Sequence, residues 1–506
     1  MLMDGFVKVN SADNVAVAIN DIEKETAFLD GVCARSDIPR GHKIALEDIS
    51  AGAPIIRYGT TLGYAARNIR KGEWVNESML KLPPTPDVTR MTFSAMAGWD
   101  FPHTPPKTTF EGYRNPKGGF AGTRNILAIT TTVQCVAGVL NIAVDRIRRE
   151  ILPRYPNVDA VVPINHAYGC GVAIDAPDAA IPIRAIKNLM DNPNFGGEIM
   201  VVALGCEKLT ADRILGEEDN NRDNVIVLQE LEGLEAMIGA ISKMAESKLK
   251  RLNERKRETL PLSELCIGAQ CGGSDSFSGI TANLAVGFAS DLLVKAGATM
   301  LFSEVTEVRD AVHILAERCV SREVCKKLAD EMRWYDDYLE KGRVDRSANP
   351  TPGNKKGGLS NIVEKAMGSI AKSGTAPIVE ALSPGEKPER RGLIFAATPA
   401  SDFVCGTMQL ASGITLQVFT TGRGTPYGLA AAPVIKVSSR TSLKRTWKDL
   451  IDIDAGTIAT GESSIEKKGM ELFDYIIRAA SGEVMPAAEK YGIANDICIF
   501  NPAPIT

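Results

Sequence analysis

Several apolar runs of this chain end at residues that can bind a metal through a thiol or a carboxylate. Three cysteines and one glutamate are placed in this way, each beside or close to a glycine. Three thiolates suit a soft metal or an iron–sulfur cluster with one open iron, whereas carboxylates hold harder divalent ions. The pattern predicts a metal site and leaves its type open. The candidate ligands are Cys170 after the run 160–164, Cys206 and Glu207 after 199–204, and Cys271 after 266–270.

Groups that transfer protons stand at similar positions. His166 also follows the run 160–164, Glu304 follows 299–302, and Lys355 lies in the proline- and glycine-rich loop 349–358. Imidazole, carboxyl and amino groups are the usual general acids and bases of enzymes. We therefore predict that His166, Glu304 and Lys355 are catalytic.

Glycine-rich turns and two arginines offer sites for an anionic ligand. Such turns expose backbone N–H groups before a helix, and a guanidinium holds a carboxylate with two parallel hydrogen bonds. The turns lie at 271–276 and 422–428, and the second contains Arg423. The predicted substrate-binding residues are Arg124, Asn125, Ser274, Asp275, Arg423, Thr425 and, from the N-terminal part, His42.

After Gly112, apolar runs alternate with helix-length amphipathic segments. This alternation predicts an α/β fold in which βα units surround a largely parallel sheet. Ligands of such sheets bind beyond the carboxyl ends of the strands, where the candidate residues stand. Strands are predicted at 126–130, 160–164, 199–204, 266–270, 299–302, 392–397 and 414–419, and helices at 136–150, 178–190, 231–252, 282–296, 321–340 and 464–480.

The first 111 residues have a different character. Residues 1–82 contain short apolar runs separated by glycines, which predicts a compact β module. Prolines are frequent in 83–111, which predicts an extended linker. We divide the remainder into an α/β middle domain at 112–255 and a C-terminal domain at 256–506, without deciding whether they share one sheet.

Composition limits the classes of protein to which the chain can belong. Hydrophobic residues make up 44% and charged residues 24% of 506 residues, with a net charge of −4, which is ordinary for a globular protein. We expect no nucleic-acid partner, because no basic tract is present, and no membrane association, because the apolar runs are only strand-length. Ten dispersed cysteines and no visible signal peptide predict a cytoplasmic protein. Neither a P-loop nor a dinucleotide-binding glycine motif occurs.

Many separate motifs of the chain, in the same order, resemble the altronate/galactarate dehydratase family of sugar-acid dehydratases. The resemblance covers essentially the whole length. It is carried by Arg40-Gly-His-Lys-Ile-Ala-Leu46, Gly122-Thr-Arg-Asn125, His166-Ala-Tyr-Gly-Cys170, Leu204-Gly-Cys-Glu207, Cys271-Gly-Gly-Ser-Asp275, Pro352-Gly-Asn-Lys355 and Gly422-Arg-Gly-Thr-Pro-Tyr-Gly428. The segments 369–374, 396–406 and 500–506 are similar to the galactarate branch.

The resemblance implies both a reaction and an architecture. It implies dehydration of meso-galactarate, a sugar diacid, to 5-dehydro-4-deoxy-D-glucarate, and a requirement for Fe²⁺ that leaves a mononuclear site or a cluster open. It also implies an N-terminal β-clip domain of SAF type, a dimerising middle domain and a Rossmann-like catalytic domain at 256–506. The alternatives are a dehydratase for altronate or another 2-hydroxy acid, and a sugar-acid-binding protein without turnover.

Overall fold

The N-terminal part of the chain forms a β module of two small antiparallel sheets in the computed structural model, which describes residues 2–3, 5–28, 31–91, 93, 96, 98–217 and 219–505. Its strands are β1 Leu2–Met3, β2 Phe6–Val7, β3 Val15–Ala18, β4 Lys43–Ala45, β5 Pro54–Arg57, β6 Thr60–Ala65, β7 Trp74–Val75 and β8 Leu80–Lys81. One sheet has the order β1-β2-β3-β4-β7 and the other β5-β6-β8. A module built only of short strands agrees with the prediction for this region.

The proline-rich segment after the β module is extended, but it is not a free linker. Its end forms β9, Thr109–Gly112, which pairs antiparallel with β14, Glu258–Pro261. Phe101 is buried and its ring meets Phe288 edge-to-face at 5.3 Å between centroids. The segment is therefore fixed to the C-terminal part by strand pairing and aromatic packing, which proline content alone does not reveal.

The middle of the chain forms its own four-stranded parallel sheet. Its elements are β10 Ile126–Thr131, α1 Ala137–Glu150, β11 Ala160–Ile164, α2 Ala180–Met190, β12 Val201–Ala203, α3 Ala211–Ile214, β13 Val225–Val227 and α4 Gly233–Leu252. The strand order is β11-β10-β12-β13, and every pairing is parallel. All six residues of β10 are buried, which is why this central strand is an uninterrupted apolar and threonine run.

The C-terminal part forms a seven-stranded sheet whose pairings are all parallel. Its strands are β15 Cys266–Cys271, β16 Thr299–Phe302, β17 Ile378–Leu382, β18 Leu393–Ala396, β19 Leu416–Thr421, β20 Val434–Ser438 and β21 Ile453–Asp454. Its helices are α5 Ala282–Lys295, α6 Val305–Val308, α7 Val312–Ala316, α8 Arg322–Lys341, α9 Pro352–Lys356, α10 Ile362–Ile370, α11 Asp402–Ala411, α12 Thr441–Thr446, α13 Ile465–Ala480 and α14 Ala487–Lys490. The predicted α/β class is thus confirmed, and the middle and C-terminal parts have separate parallel sheets, a point that the sequence left open.

The strand order of the large sheet marks where a ligand should bind. The order is β17-β18-β16-β15-β19-β20-β21, so the chain leaves β15 first to one side and later to the other. Loops separate at such a switch point and leave a crevice beyond the strand ends. The crevice here lies beyond β15, β16 and β19, which end at Cys271, Phe302 and Thr421.

A buried ion triad attaches the β module to the C-terminal part. The Glu364 carboxylate on α10 lies 2.9 Å from the Lys43 ammonium and accepts a hydrogen bond from the Arg57 guanidinium. All three side chains are at most 1% exposed. Burial raises the pKa of Glu364, but the charges of Lys43 and Arg57 outweigh burial and lower it. Glu364 is therefore ionised and is the shared counter-ion of Lys43 and Arg57.

Removing the charge of Glu364 should loosen the β module. Glu364→Gln leaves two buried cations without a counter-ion, so we expect a loss of about 3–5 kcal/mol of unfolding free energy, measured by urea denaturation. Because the folded-state pKa of Glu364 is lowered, its contribution is present above the unfolded pKa and disappears as the pH falls through the folded pKa. The difference between variant and wild type should therefore shrink in acid.

The matched control is Glu235→Gln, which removes an exposed partner of Arg146 at 3.0 Å. It should change the unfolding free energy by less than about 1 kcal/mol. Equal effects of the two substitutions would contradict the role assigned to the triad.

Candidate functional site

The predicted residues Cys271 and Glu304 meet in the crevice of the large sheet. β15 and β16 are parallel neighbours, with Ala269 opposite Phe302, so the residues that follow them are adjacent. Glu304 has a left-handed backbone with φ of 74°. A non-glycine residue in this region costs free energy and persists only where its surroundings hold it. Here the Glu304 N–H donates to Thr398 Oγ1 at 3.1 Å.

Five side chains around this point form what we call the acid–lysine cluster: Cys271, Glu304, Glu307, Lys365 and Lys372. The Cys271 thiol donates to Glu307 Oε2 at 3.0 Å, and Lys372 Nζ donates to Cys271 Sγ at 3.2 Å. Lys372 Nζ also lies 3.7 Å from Glu304 Oε2, and Lys365 Nζ lies 2.7 Å from Glu307 Oε1. All five residues are buried, so their charges interact without much screening by solvent.

The two glutamates of the cluster have opposite pKa shifts. Burial raises the pKa of Glu304 well above its usual value, and the nearby Glu307 charge raises it further. Burial also opposes ionisation of Glu307, but the charges of Lys365 and Lys372 outweigh it and lower the pKa. The surroundings therefore favour the protonated form of Glu304 and the ionised form of Glu307. Environments that separate two carboxyl pKa values in this way commonly mark an acid and a base.

The same surroundings also shift the pKa values of Cys271 and Asp402. Burial, followed by the Glu307 charge, raises the pKa of the Cys271 thiol to about 12, so this thiol is protonated at neutral pH. Burial and the Glu307 charge also raise the pKa of Asp402 to about 6. Both shifts have the same two leading causes, burial and the charge of Glu307.

The cluster is a poor site for the implied Fe²⁺. Ligand atoms of Cys271, Glu304 and Glu307 lie within 4.8 Å of one another, which is close enough for one ion. However, the ammonium groups of Lys365 and Lys372 occupy this space, and Lys372 is completely buried with no solvent to withdraw into. A divalent cation would lie within a few ångströms of two buried positive charges, which is strongly unfavourable.

A small cavity opens beside the cluster. It is lined by Cys271 and Lys365, by Ser274 and Asp275 from the glycine-rich turn, and by Tyr58 from the β module. Ser274 Oγ is buried and has no hydrogen-bond partner within the described part of the chain. Asp275 is engaged: its carboxylate accepts from the Ser278 N–H at 3.0 Å and lies 2.8 Å from Arg440 Nε. Ser274 is thus available to a ligand, whereas Asp275 holds the turn.

The predicted residues Arg423, Thr425 and Lys355 lie at the same edge of the large sheet. Thr425 Oγ1 lies 3.0 Å from the position that a Cβ would take on Gly273, and Arg423 Nε lies 4.0 Å from that of Gly353, two residues before Lys355. The Arg423 side chain is exposed and forms no ion pair or hydrogen bond with the residues that the structure describes. His42 Nε2 is 3.4 Å from the Lys356 carbonyl oxygen, at the contact with the β module.

Arg124 and Asn125 do not reach this crevice and instead have structural partners. The Arg124 guanidinium forms two hydrogen bonds with the Glu489 carboxylate, at 2.5 and 2.7 Å, and two more with backbone carbonyls. Asn125 donates to the Asn157 and Leu252 carbonyls. Both precede β10, at the amino end of the strand, where ligands of parallel sheets do not bind. Their predicted contact with substrate is not supported by this placement.

The four predicted metal ligands are not brought together. Cys170, Cys206 and Glu207 follow strands of the small sheet, whereas Cys271 ends a strand of the large sheet. The Glu207 carboxylate accepts hydrogen bonds from the Thr132 hydroxyl and from two backbone N–H groups. In the described residues these four do not form a group whose ligand atoms lie within 4.8 Å of one another, because they follow strands of two different sheets.

His166 also belongs to the small sheet. Its ring nitrogens face two carbonyl oxygens, with Nδ1 3.1 Å from Tyr168 O and Nε2 2.7 Å from Thr131 O. The imidazole is buried, and burial lowers its pKa. With both nitrogens engaged by the backbone, His166 donates to one of these carbonyls, holds its loop against β10 and is poorly placed to accept a proton from a ligand.

Three members of the cluster were missed by the sequence analysis: Glu307, Lys365 and Lys372. A signal for the lysines was present, because Lys365, Ser369 and Lys372 follow each other at helical spacing within an otherwise apolar segment. Polar residues along one side of an apolar helical segment indicate that their side chains are buried and paired with other polar groups. Glu307 lies three residues after Glu304, one turn along the same short helix.

Comparison with known proteins agrees with this architecture. The segment 4–83 matches the altronate/galactarate dehydratase SAF domain, 112–253 the second domain of D-galactarate dehydratase/altronate hydrolase, and 262–505 the C-terminal domain of D-galactarate/altronate dehydratase. These are the domains of sugar-acid hydro-lyases. The chain belongs to the altronate/galactarate dehydratase family, and the predicted SAF-type N-terminal domain is confirmed.

Relatives with curated names are similar over nearly the whole chain. The galactarate dehydratase (L-threo-forming) of Escherichia coli K12 is 56% identical, covering 99% of this chain and 97% of its own. The altronate dehydratase of Bacillus subtilis 168 is 34% identical over 96% of both chains. The β subunit of (2R)-sulfolactate sulfo-lyase from Chromohalobacter salexigens is 28% identical, over 74% of this chain.

Proposed function

We propose that this protein is a galactarate dehydratase that converts meso-galactarate to 5-dehydro-4-deoxy-D-glucarate. The observation that carries the proposal is the pair Glu304 and Glu307, held at one strand end with pKa values shifted in opposite directions. The high similarity to a galactarate dehydratase supports the choice of substrate. The direct test is turnover of galactarate against altronate by anaerobically purified protein. Turnover of altronate alone, or binding of galactarate without release of a keto acid, would contradict the proposal.

The reaction removes a proton from the carbon next to a carboxylate and a hydroxyl from the following carbon. In the proposed mechanism the Glu307 carboxylate takes the α-proton, and the electrons of the C–H bond form the new C=C bond. The C–O bond of the β-hydroxyl breaks, and the Glu304 carboxylic acid supplies the proton with which it leaves as water. The resulting enol then tautomerises to the keto acid. A net shift of one proton from Glu304 to Glu307 is reversed before the next turnover.

The two lysines stabilise the charge that develops during proton removal. Negative charge accumulates on the substrate carboxylate as the α-proton leaves, and fixed cations in a water-poor site are effective stabilisers of such charge. Burial opposes protonation of Lys365, but the Glu307 charge outweighs burial and raises its pKa, so the amine remains an ammonium. Neither lysine is therefore the base in this scheme.

The Arg423 side chain, at the edge of the crevice, can bind the second carboxylate of a diacid. We call it the clamp. Galactarate has a second carboxylate at the far end of its six-carbon chain, and Arg423 offers two parallel N–H groups without a described partner. Lys355 and the Ser274 hydroxyl are further donors near this path. A hexonate such as altronate has no second carboxylate, so this clamp favours the diacid.

We further propose a cytoplasmic homodimer that acts on a small sugar diacid, requires Fe²⁺ bound outside the acid–lysine cluster, and binds no nucleic acid. All ten cysteines are free thiols, which suits a reducing compartment. Ile142 on α1 and Leu234 on α4 are about half exposed, and these apolar side chains support dimerisation through the middle domain. Among the helices of the described ranges, none has the length and apolar character needed to cross a membrane.

Substitution of the two glutamates should separate their roles. We expect Glu307→Gln and Glu304→Gln each to lower kcat by roughly 10²- to 10⁴-fold, because each removes one proton-transfer group. In the wild type, kcat/KM should fall at low pH as Glu307 becomes protonated and at high pH as Glu304 ionises. The measurement is the pH profile of galactarate turnover for each protein.

The control is Glu331→Gln. Glu331 is a buried acid outside the cluster, and its carboxylate lies 3.0 Å from Lys327 Nζ. This variant should keep its kcat. If Glu304→Gln and Glu307→Gln also kept theirs, the proposed mechanism would be wrong.

Substitution of the clamp should weaken turnover without affecting folding. We expect Arg423→Lys to lower kcat/KM for galactarate by roughly 10- to 100-fold, because a single ammonium cannot replace two parallel hydrogen bonds. The melting temperature should remain within a degree or two of wild type, as should that of the exposed control Arg149→Lys. A lower melting temperature with normal activity per folded molecule would show that Arg423 is structural.

A further inference from the structure

A second cavity lies where the β module meets the C-terminal part of the chain. Ile19, Asn20 and Arg40 line it from the β module, and the other lining residues belong to the C-terminal part, from Phe277 to Glu462. Its volume is about 170 Å³, and it shares no lining residue with the cavity beside the acid–lysine cluster. Neither the proposed mechanism nor the clamp uses this cavity, so its residues need a separate explanation.

Three of the residues that line this cavity are arginines, Arg40, Arg440 and Arg445, and we call it the arginine cavity. The side chains of Arg40 and Arg445 form no hydrogen bond or ion pair with any residue that the structure describes. Among the lining residues, all of which are described, Glu462 is the single acid, and its carboxylate accepts a hydrogen bond from Thr460 Oγ1 at 3.0 Å. The arginine cavity therefore carries an excess of positive charge.

Arg440 differs from the other two arginines because its guanidinium is held in place. It donates to the Gly422 carbonyl oxygen from Nε at 3.0 Å and from Nη2 at 2.6 Å, and Nε lies 2.8 Å from Asp275 Oδ2. Its remaining nitrogen, Nη1, forms no hydrogen bond within the described part of the chain. The side chain is 19% exposed, so Arg440 offers a ligand a donor whose position is fixed by Gly422 and Asp275.

The two arginines without partners come from different parts of the chain. Arg40 directly precedes Gly41, whose carbonyl oxygen accepts a hydrogen bond from Ser276 Oγ, so this end of the β module is held against the C-terminal part. Arg445 lies on α12 of the C-terminal part. A guanidinium can hold a carboxylate with two parallel hydrogen bonds. One molecule with two carboxylates can therefore bridge the two parts of the chain.

The rest of the wall of the arginine cavity is partly apolar. Ile19, Phe277 and Ala459 line it and pack in one hydrophobic cluster. An inorganic ion gains nothing from such a wall, whereas the carbon chain of an organic acid is removed from water against it. The cavity is also smaller than the roughly 300–1,000 Å³ of pockets for drug-sized ligands, which limits the ligand to a small molecule.

We propose that the arginine cavity binds a small dicarboxylic acid, with one carboxylate on Arg40, the other on Arg445, and Arg440 as a fixed third donor. This site is separate from the crevice in which galactarate is proposed to react. Because the ligand contacts both the β module and the C-terminal part, it holds the module in its docked position. The inference does not rest on the proposed dehydratase activity, since binding is measured without turnover.

The test is isothermal titration calorimetry of the full-length protein with succinate, a dicarboxylate that has no hydroxyl group to eliminate. The parent protein for this test carries Arg423→Gln, so that the clamp of the crevice does not contribute. We expect one succinate per chain. Adding Arg40→Gln or Arg445→Gln should weaken binding by about 10-fold or more, because each substitution removes two charge-assisted hydrogen bonds. Adding Arg149→Gln, at an exposed arginine of the middle domain, should leave the affinity unchanged.

Three outcomes would overturn the proposal. The parent protein could fail to bind succinate, or the Arg445→Gln protein could bind it as tightly as the parent does. Tighter binding of inorganic phosphate than of succinate would show that the ligand is not an organic acid. Loss of folding does not confuse the comparison, because Arg40 and Arg445 have no described partners and their substitution should leave the melting temperature without ligand unchanged.

A second measurement needs no substitution. Phenylglyoxal modifies accessible arginines, and peptide mass spectrometry locates the modified residues. Saturating succinate should protect Arg40 and Arg445 of the wild-type protein together, whereas Arg149 should still be modified. Modification of Arg40 and Arg445 at undiminished rates would contradict the proposal, whatever the variants do.

Discussion

The burial of charge around Glu307 is the constraint on which the catalytic crevice depends. A carboxylate without solvent must be neutralised, and Lys365 and Lys372 do this from α10 and the turn that follows it. The same two charges keep Glu307 ionised, while burial and the Glu307 charge keep Glu304 protonated. One arrangement of buried charges therefore produces both halves of an acid–base pair, and neither half requires an unusual residue type.

Helix α10 links this arrangement to the β module. Its Glu364 faces Lys43 and Arg57 of that module, and the next residue, Lys365, faces Glu307. Tyr58, next to Arg57, lines the cavity beside the cluster. The N-terminal module thus covers the crevice through the same helix that neutralises its carboxylates. A shift of the module would reach Lys365 through its direct neighbour Glu364.

The sequence predicted the α/β class, the β module and the strand ends that carry functional groups, because these follow from local patterns. Cys271, Glu304, Ser274 and Arg423 were predicted by the rule that ligands bind beyond parallel strands, and the structure places them at one edge of the large sheet. The division into two sheets was not predictable in this way, because parallel strands of different sheets have the same local pattern. This explains why Cys170 and Cys271 were assigned to one metal site. Lys372 was missed because its importance comes from contacts with Cys271 and Glu304, more than 65 residues away in the chain.

The proposed mechanism locates the reaction at the acid–lysine cluster. It is tested most directly by an anaerobic crystal structure of the Glu307→Gln protein with galactarate, in which substrate binds but the α-proton is not removed. We expect galactarate in the crevice beyond β15, β16 and β19, with one carboxylate near Lys365 and Lys372 and the other on Arg423. Galactarate bound instead at the ends of β10, β11 and β12, with the acid–lysine cluster free of it, would contradict the account.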